Sequence, residues 1–165
     1  MKVFKEEQRF TQIWLIILLT ISLCTTIAIM LNEYLKQGSS FNTKEFLITF
    51  FSIVFSVSFI FFLKLRTRID EIGIHYQFFP FHFKTRVKKW EDIKSVCVRK
   101  YEPISEYGGW GVHKSLFNKE KGIAINVAGN IGIQLVLKNN KKLLIGTQKE
   151  SDVKRILETY KNKLL

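Results

Sequence analysis

Two stretches without a charged side chain, residues 11–32 and 46–63, constrain this chain more than anything else in it. A helix of about 18 to 21 residues rises about 27 to 31 Å, close to the roughly 30 Å hydrocarbon core of a bilayer. The pattern therefore predicts two transmembrane helices, at about 12–32 and 46–63, within a chain of 165 residues. The remainder of the chain is different in kind. Residues 64–165 hold 21 Lys and Arg against 10 Asp and Glu, which is +11 of the chain's +12.

Charge also predicts orientation. Lys2, Lys5 and Arg9 precede the first span and Lys64, Arg66 and Arg68 come after the second, whereas the connection between spans balances Lys36 and Lys44 against Glu33 and Glu45. Cytoplasmic flanks are enriched in Lys and Arg. Both termini are thus expected at the cytoplasmic face of the inner membrane, with residues 1–64 forming a tail and helical hairpin and 65–165 one small domain. Trp14 and Tyr34 suit interfacial belts. A cleaved signal peptide fits poorly, because the apolar run exceeds an h-region of about 7–15 residues and Thr26-Ile27-Ala28-Ile29 offers no small-x-small site. Cys24 and Cys97 encode no disulfide framework.

Within the spans, Ser22, Thr25 and Thr26 and then Thr49, Ser52 and Ser56 recur at three- and four-residue spacing. Small hydroxylated faces of this kind let membrane helices approach closely. With no ionisable residue inside either span, a transporter or proton relay is disfavoured.

From residue 65 the pattern becomes short alternating segments, the signature of antiparallel strands, at 65–69, 74–79, 81–90, 93–101, 122–128, 131–137 and 142–145. Asp70-Glu71-Ile72-Gly73, Gly129-Asn130 and Asn139-Asn140 supply turn residues, and Pro80 interrupts a ladder to which it cannot donate. Thr147 with Glu150 resembles a capping box, and Val153, Ile156, Leu157, Tyr160 and Leu164 follow helical spacing over about 148–164. The expected fold is a membrane α-helical hairpin joined to a mainly β domain: a pleckstrin-homology-like barrel of about seven antiparallel strands closed by a C-terminal helix.

The chain also resembles small bacterial two-span membrane proteins with a C-terminal pleckstrin-homology-like domain. The resemblance lies in the segment 4–10, in Ile69-Asp70-Glu71-Ile72-Gly73-Ile74, in Phe79-Pro80-Phe81 and Lys89-Trp90, in Glu106-Tyr107-Gly108-Gly109-Trp110-Gly111, and in Leu144-Ile145-Gly146-Thr147-Gln148. It implies architecture and membrane location, and it implies no reaction or substrate.

Two segments are candidate binding elements. The stretch 102–118 is the longest connection, and Gly108, Gly109 and Gly111 free the backbone around Trp110, so that Tyr107 and Trp110, with His113 and Lys114, are placed to meet a lipid or protein surface. The alternative is that Trp110 folds back as a lid on the domain. In the segment 81–90, alternation puts His82, Lys84, Arg86 and Lys88 on one face and Phe81, Phe83 and Val87 on a core face. Such a basic stripe is either a solvated exterior or an attraction for anionic head groups.

Other chemistries lack their parts. His113 stands where a phosphate loop needs glycine before Lys-Ser. His75, His82, His113 and Cys97 show no metal-ligand spacing, no cofactor is expected, and no nucleic-acid motif accompanies the basic surplus. Glu106, His113 and Lys114 form the only cluster relevant to catalysis. The leading expectation is a non-enzymatic membrane-anchored module that binds a protein partner or anionic lipid at the cytoplasmic face. The rivals are a subunit acting through its two helices in a larger membrane complex, and a small membrane enzyme using the 102–118 loop.

Overall fold

The computed structural model describes residues 2–37, 43–114 and 122–164. Part of the connection between the apolar segments and residues 115–118 of the long loop therefore lie outside the described residues. The chain forms two compact units, one from residues 10–62 and one from the N-terminal strand together with everything from residue 63.

The first unit is a pair of helices, α1 (Ile13–Gln37) and α2 (Thr43–Phe62). Ile13–Lys36 and Lys44–Phe62 are long and apolar enough to cross a membrane. The two helices contact each other, with the rings of Tyr34 and Phe46 6.1 Å apart. The hydroxyls of Thr25, Thr26 and Ser56 each donate 2.8 Å bonds to the carbonyl four residues earlier in their own helix. Those donors are thus satisfied locally, as Ser and Thr in apolar helices commonly are.

The second unit holds two sheets. The first runs β1 (Phe4–Arg9), β2 (Lys64–Ile69), β3 (Gly73–Phe79) and β4 (Arg86–Lys89), all antiparallel. Its alternation is sharp: Phe4, Leu65, Ile69, Ile74, Tyr76 and Phe78 turn inward, while Lys5, Arg66 and Arg68 turn out. Asp70 shapes the β2–β3 turn by accepting from the backbone N–H of Ile72 (3.0 Å). Gly73 is required where β4 crosses close, since a Cβ there would sit 2.1 Å from the Lys88 carbonyl oxygen.

A single-turn bend at Trp90–Asp92 then carries the chain into the second sheet. It comprises β5 (Ile93–Lys100), the short helix α3 (Pro103–Tyr107) outside the ladder, β6 (Gly111–Lys114), β7 (Ile123–Asn126), β8 (Ile131–Leu137) and β9 (Lys142–Gly146). The order is β5-β8-β9-β7-β6, and β7 lies parallel to β9.

The expected single closed barrel is therefore replaced by two sheets, with no ladder joining them among the described residues. Side chains bridge instead. Gln8 Nε2 of β1 donates to the Gly146 carbonyl at the end of β9 (2.8 Å), and Glu6 accepts from Thr147 Oγ1 (2.6 Å) and from the Gln148 N–H (2.8 Å). The capping box foreseen from Thr147 and Glu150 does not form, because the carboxylate beside this helix start comes from Glu6, 141 positions away along the chain from Thr147. Helix α4 (Glu150–Thr159) packs on β5, β8 and β1, burying Val153, Ile156 and Leu157, with Tyr160 just beyond. Trp90 stacks on Tyr160 with ring centroids 5.5 Å apart.

Three further sequence expectations change. β1 reads as a polar tail by sequence and is an integral strand, so the β unit begins before the helices rather than at residue 65. β6 and α3 appear inside the stretch read as an irregular loop. The strand expected over 81–90 shrinks to Arg86–Lys89, because the chain turns through Pro80 to Thr85 first.

Candidate functional site

The segment expected to present aromatics is instead tied down from within. Pro103 opens α3 and Gly108, at φ 81°, closes it, with its N–H on the Ile104 carbonyl (2.8 Å). This tight turn drives Tyr107 inward to 0% exposure, where it packs with Tyr101, Ala124 and Leu144. Arg99 Nη2 donates to the Tyr107 hydroxyl at 3.3 Å and to Glu106 Oε2 at 2.9 Å, while its Nη1 reaches Glu106 Oε1 at 3.2 Å. That forked pair is the geometry a guanidinium makes best, and with Glu106 as the main cause it raises the Arg99 pKa above its usual value. Burial raises the Tyr107 pKa, and it pushes that of Tyr101 up to about 12.

Trp110 donates from Nε1 to the Gly129 carbonyl (3.1 Å), and the Trp110 carbonyl accepts from His113 Nε2 (2.8 Å). Asn126 accepts the Gly111 N–H (2.8 Å) and donates to the Tyr101 hydroxyl (2.9 Å). Gly108 and Gly109 thus serve the turn. Lys114 ends β6 exposed. Tyr107 is a core residue rather than a presented ring, and Glu106 is engaged by Arg99 and His113 by the backbone.

The basic stripe is also rearranged. In the ladder, Arg86 is the partner of Tyr76 and Lys88 of Ile74, both buried, whereas Val87 faces His75. Arg86 and Lys88 therefore share the inner side of an edge strand, Val87 lies on the outer side, and Lys84 sits in the preceding turn. His82, expected on the basic face, is 9% exposed, while Phe81 and Phe83, expected in the core, are 63% and 80% exposed.

The arrangement that the sequence reading missed is the outer face of the first sheet. Register lays down three rows: Lys5, Arg68 and His75; Glu7, Arg66 and Gln77; Arg9, Lys64 and Phe79. The rows hold five cations and the carboxylate of Glu7, and Asp70 at the end of β2 adds a second carboxylate beside Arg68. The first two rows line a depression of about 580 Å³ with Thr85 at its rim. Glu7 is held between Arg66 Nε and Arg9 Nη2, each at 2.7 Å, and the hydrogen bonds from Arg66 and then Arg9 lower its pKa to about 2.

Arg68 Nε approaches Asp70 Oδ2 at 2.9 Å, and His75 Nε2 lies 3.0 Å from Asp70 Oδ1. Burial works to raise the Asp70 pKa, but the bonds from His75 and from the backbone of Ile72 and Gly73 outweigh it and leave it lowered. Trp90 Nε1 donates to the Asp70 carbonyl (2.9 Å), which anchors the same corner. Arg66 and Arg68 approach their carboxylates through Nε, and a guanidinium carries further N–H donors on its two Nη atoms.

Only the alternation Phe4-Lys5-Glu6-Glu7-Gln8-Arg9 could have signalled this face, and polar residues at two of its inward positions hide it. Among the described residues no three His, Cys, Asp or Glu side chains are grouped to hold a metal ion. Cys24 and Cys97 are both free thiols. Comparison with protein-family models, with curated proteins and with solved structures gives no match.

Proposed function

We propose that this chain is a non-enzymatic, membrane-anchored module whose β unit holds anionic lipid head groups at the cytoplasmic leaflet through the outer face of its first sheet. The observation that carries the reading is the set of rows on that face, in which Lys5, Arg66 and Arg68 line the depression of about 580 Å³ with Arg9 and Lys64 in the next row, against Glu7 in the rows and Asp70 beside Arg68. A Lys or Arg close to an anionic leaflet gains about 1 kcal/mol, so several on one rigid face add to a useful preference. Position favours the same source of ligand. In the third row Arg9 stands four residues before the first residue of α1, Ile13, and Lys64 two residues after the last of α2, Phe62.

The pairing of Arg9 with Lys64 also supports a topology. A hairpin of two spans whose ends are joined in one ladder must return to the side it left, and the basic flanks favour the cytoplasm for that side. Two sheets with a C-terminal helix lying on both support a pleckstrin-homology-like reading in which side-chain bridges from Gln8 and Glu6 stand where a closing ladder would be.

The direct test exchanges the full chain, in neutral detergent, against mixed micelles of phosphatidylglycerol and phosphatidylcholine. Retention should favour phosphatidylglycerol, and the preference should fall with added salt and with Lys5→Glu plus Arg66→Glu. Equal retention of both lipids at every salt concentration would sink the reading. Topology is checked in a cysteine-free background with an impermeant maleimide on intact cells, where Ser40→Cys should react and Lys138→Cys should not.

A further inference from the structure

The turn between β3 and β4 holds three phenylalanines in five residues, Phe79, Phe81 and Phe83, two of them facing solvent. We infer that Phe81 and Phe83 form an apolar wedge that inserts into the bilayer interface of the leaflet on the side of the β unit. The inference rests on the reading that α1 and α2 cross the membrane, and it is independent of the lipid charge preference proposed for the sheet face.

The first support is construction. His82 N–H donates to the Phe78 carbonyl (2.7 Å), and Gln77 Nε2 donates to the carbonyls of His82 (3.2 Å) and Phe83 (3.0 Å). His82 Nδ1 in turn accepts from the Phe78 N–H (3.4 Å). These bonds hold the imidazole inward and leave the two flanking rings outward. The Phe81 ring lies 5.9 Å between centroids from Phe78, and Phe83 meets Phe79 edge-on at 6.4 Å. A flexible loop would collapse such rings onto the protein, whereas a turn braced at 77, 78 and 82 prevents it.

The second support is place. β2 begins at Lys64, two residues after α2 ends, and β3 runs antiparallel to it, so β3 heads back toward the point where the chain left the helix. Its last residue, Phe79, is the register partner of Lys64, whose Nζ lies over the Phe79 ring at 5.4 Å. Neighbouring strands are about 4.8 Å apart, so the turn beyond Phe79 begins about one strand's width from Lys64, which comes two residues after the last residue of α2 in the chain. The opposite end of the same hairpin, Asp70 to Gly73, lies about 20 Å away along strands that rise about 3.3 Å per residue. Exposed Lys84 and Arg86 come after the two rings, giving the aromatic-and-basic mixture that suits the head-group region. A protein partner would need none of this coincidence with the end of the span.

The test uses the full chain with Cys24 and Cys97 replaced by serine, reconstituted in phosphatidylcholine–phosphatidylglycerol nanodiscs and spin-labelled at single cysteines. Phe83→Cys should report collisions dominated by oxygen, as in lipid. Ile72→Cys, an exposed apolar site at the far end of the hairpin, should report collisions dominated by a water-soluble nickel complex. Leu18→Cys in α1 reads the spans independently. If position 18 is lipid-like and position 83 matches position 72, the wedge is overturned while the spans stand. If position 18 is water-like, the spans and the wedge fall together.

Discussion

Two aromatic turns of this β unit, 79–83 and 107–111, begin from similar material and end in opposite states. Each holds large rings beside residues that bend the backbone, proline in one and glycine in the other. Tyr107 and Trp110 carry polar handles, and the fold uses both: the Tyr107 hydroxyl accepts from Arg99 and Trp110 Nε1 donates to Gly129. Phe81 and Phe83 have no such handle. Once His82 takes the inward place, nothing polar can draw either ring back, and their apolar surface remains outside. Composition alone makes the glycine-rich segment the better binding element. Burial reverses that ranking for Tyr107, whose ring is held in the interior with its hydroxyl bonded, while Trp110 stays half-buried with its Nε1 tied to Gly129.

The sharpest way to break this contrast is Tyr107→Ala in the full detergent-solubilised chain. Truncating a fully buried aromatic costs about 3–5 kcal/mol, so denaturant unfolding of the β unit should shift strongly, whereas Tyr107→Phe, which keeps the ring and removes the hydroxyl that Arg99 donates to, should cost about 1 kcal/mol. A neutral Tyr107→Ala would mean the ring is not core. Next in size is Asn126→Ala, which leaves the Gly111 N–H and the Tyr101 hydroxyl without their partner and should cost about 1–3 kcal/mol. Retention of wild-type stability would show that 107–111 is held more loosely than its bonds indicate.

A smaller effect sharpens the other turn. Burial, with Arg86 as the second cause, holds the His82 pKa below its usual value of 6.5. The folded state then takes up the proton less readily than the unfolded chain, so this contribution is complete above 6.5 and is lost as pH falls through the lower folded value. Wild-type stability should therefore decline on acidification from about pH 7 to about pH 5, and His82→Gln should flatten that slope. Tyr76 and Arg86 face the ring, and neither changes charge in that window. An unchanged slope in the variant would assign the decline to another group. Smallest of all, Phe83→Ser should alter stability in detergent by no more than about 0.5 kcal/mol, as exposed substitutions usually do. A large loss would make Phe83 a packing residue and remove the reason to place it in the interface.

Much of the architecture was legible in the chain because it depends on local composition and period. Two charge-free runs can hardly be anything but long apolar helices, and the alternation of 65–69, 74–79 and 131–137 matches β2, β3 and β8. The helical spacing of Val153, Ile156, Leu157 and Tyr160 likewise marks the residues that α4 and the turn after it bury. The candidate site was far less legible. Extending period two backwards from Val87 through Phe83 to Phe81 put those rings in the core, because it ignored the turn through which the chain passes before β4 begins.

What tertiary structure alone decided is the role of the first nine residues. Glu6 and Gln8 point inward from β1, a placement that local hydrophobicity argues against, and they are held there by Thr147 and Gln148 on the Glu6 carboxylate and by the Gly146 carbonyl on Gln8 Nε2. Those partners lie about 140 positions away in the chain, beyond any window in which a pattern can be read. The same pairing sets Lys5 and Glu7 beside Arg66 and Arg68 and so assembles the charged face from the two sides of the helical hairpin. Apolar length and alternation are properties of a segment, and the sequence determines them by itself. Which polar groups find partners, and which rings are left without a place inside, depends on what folding brings together.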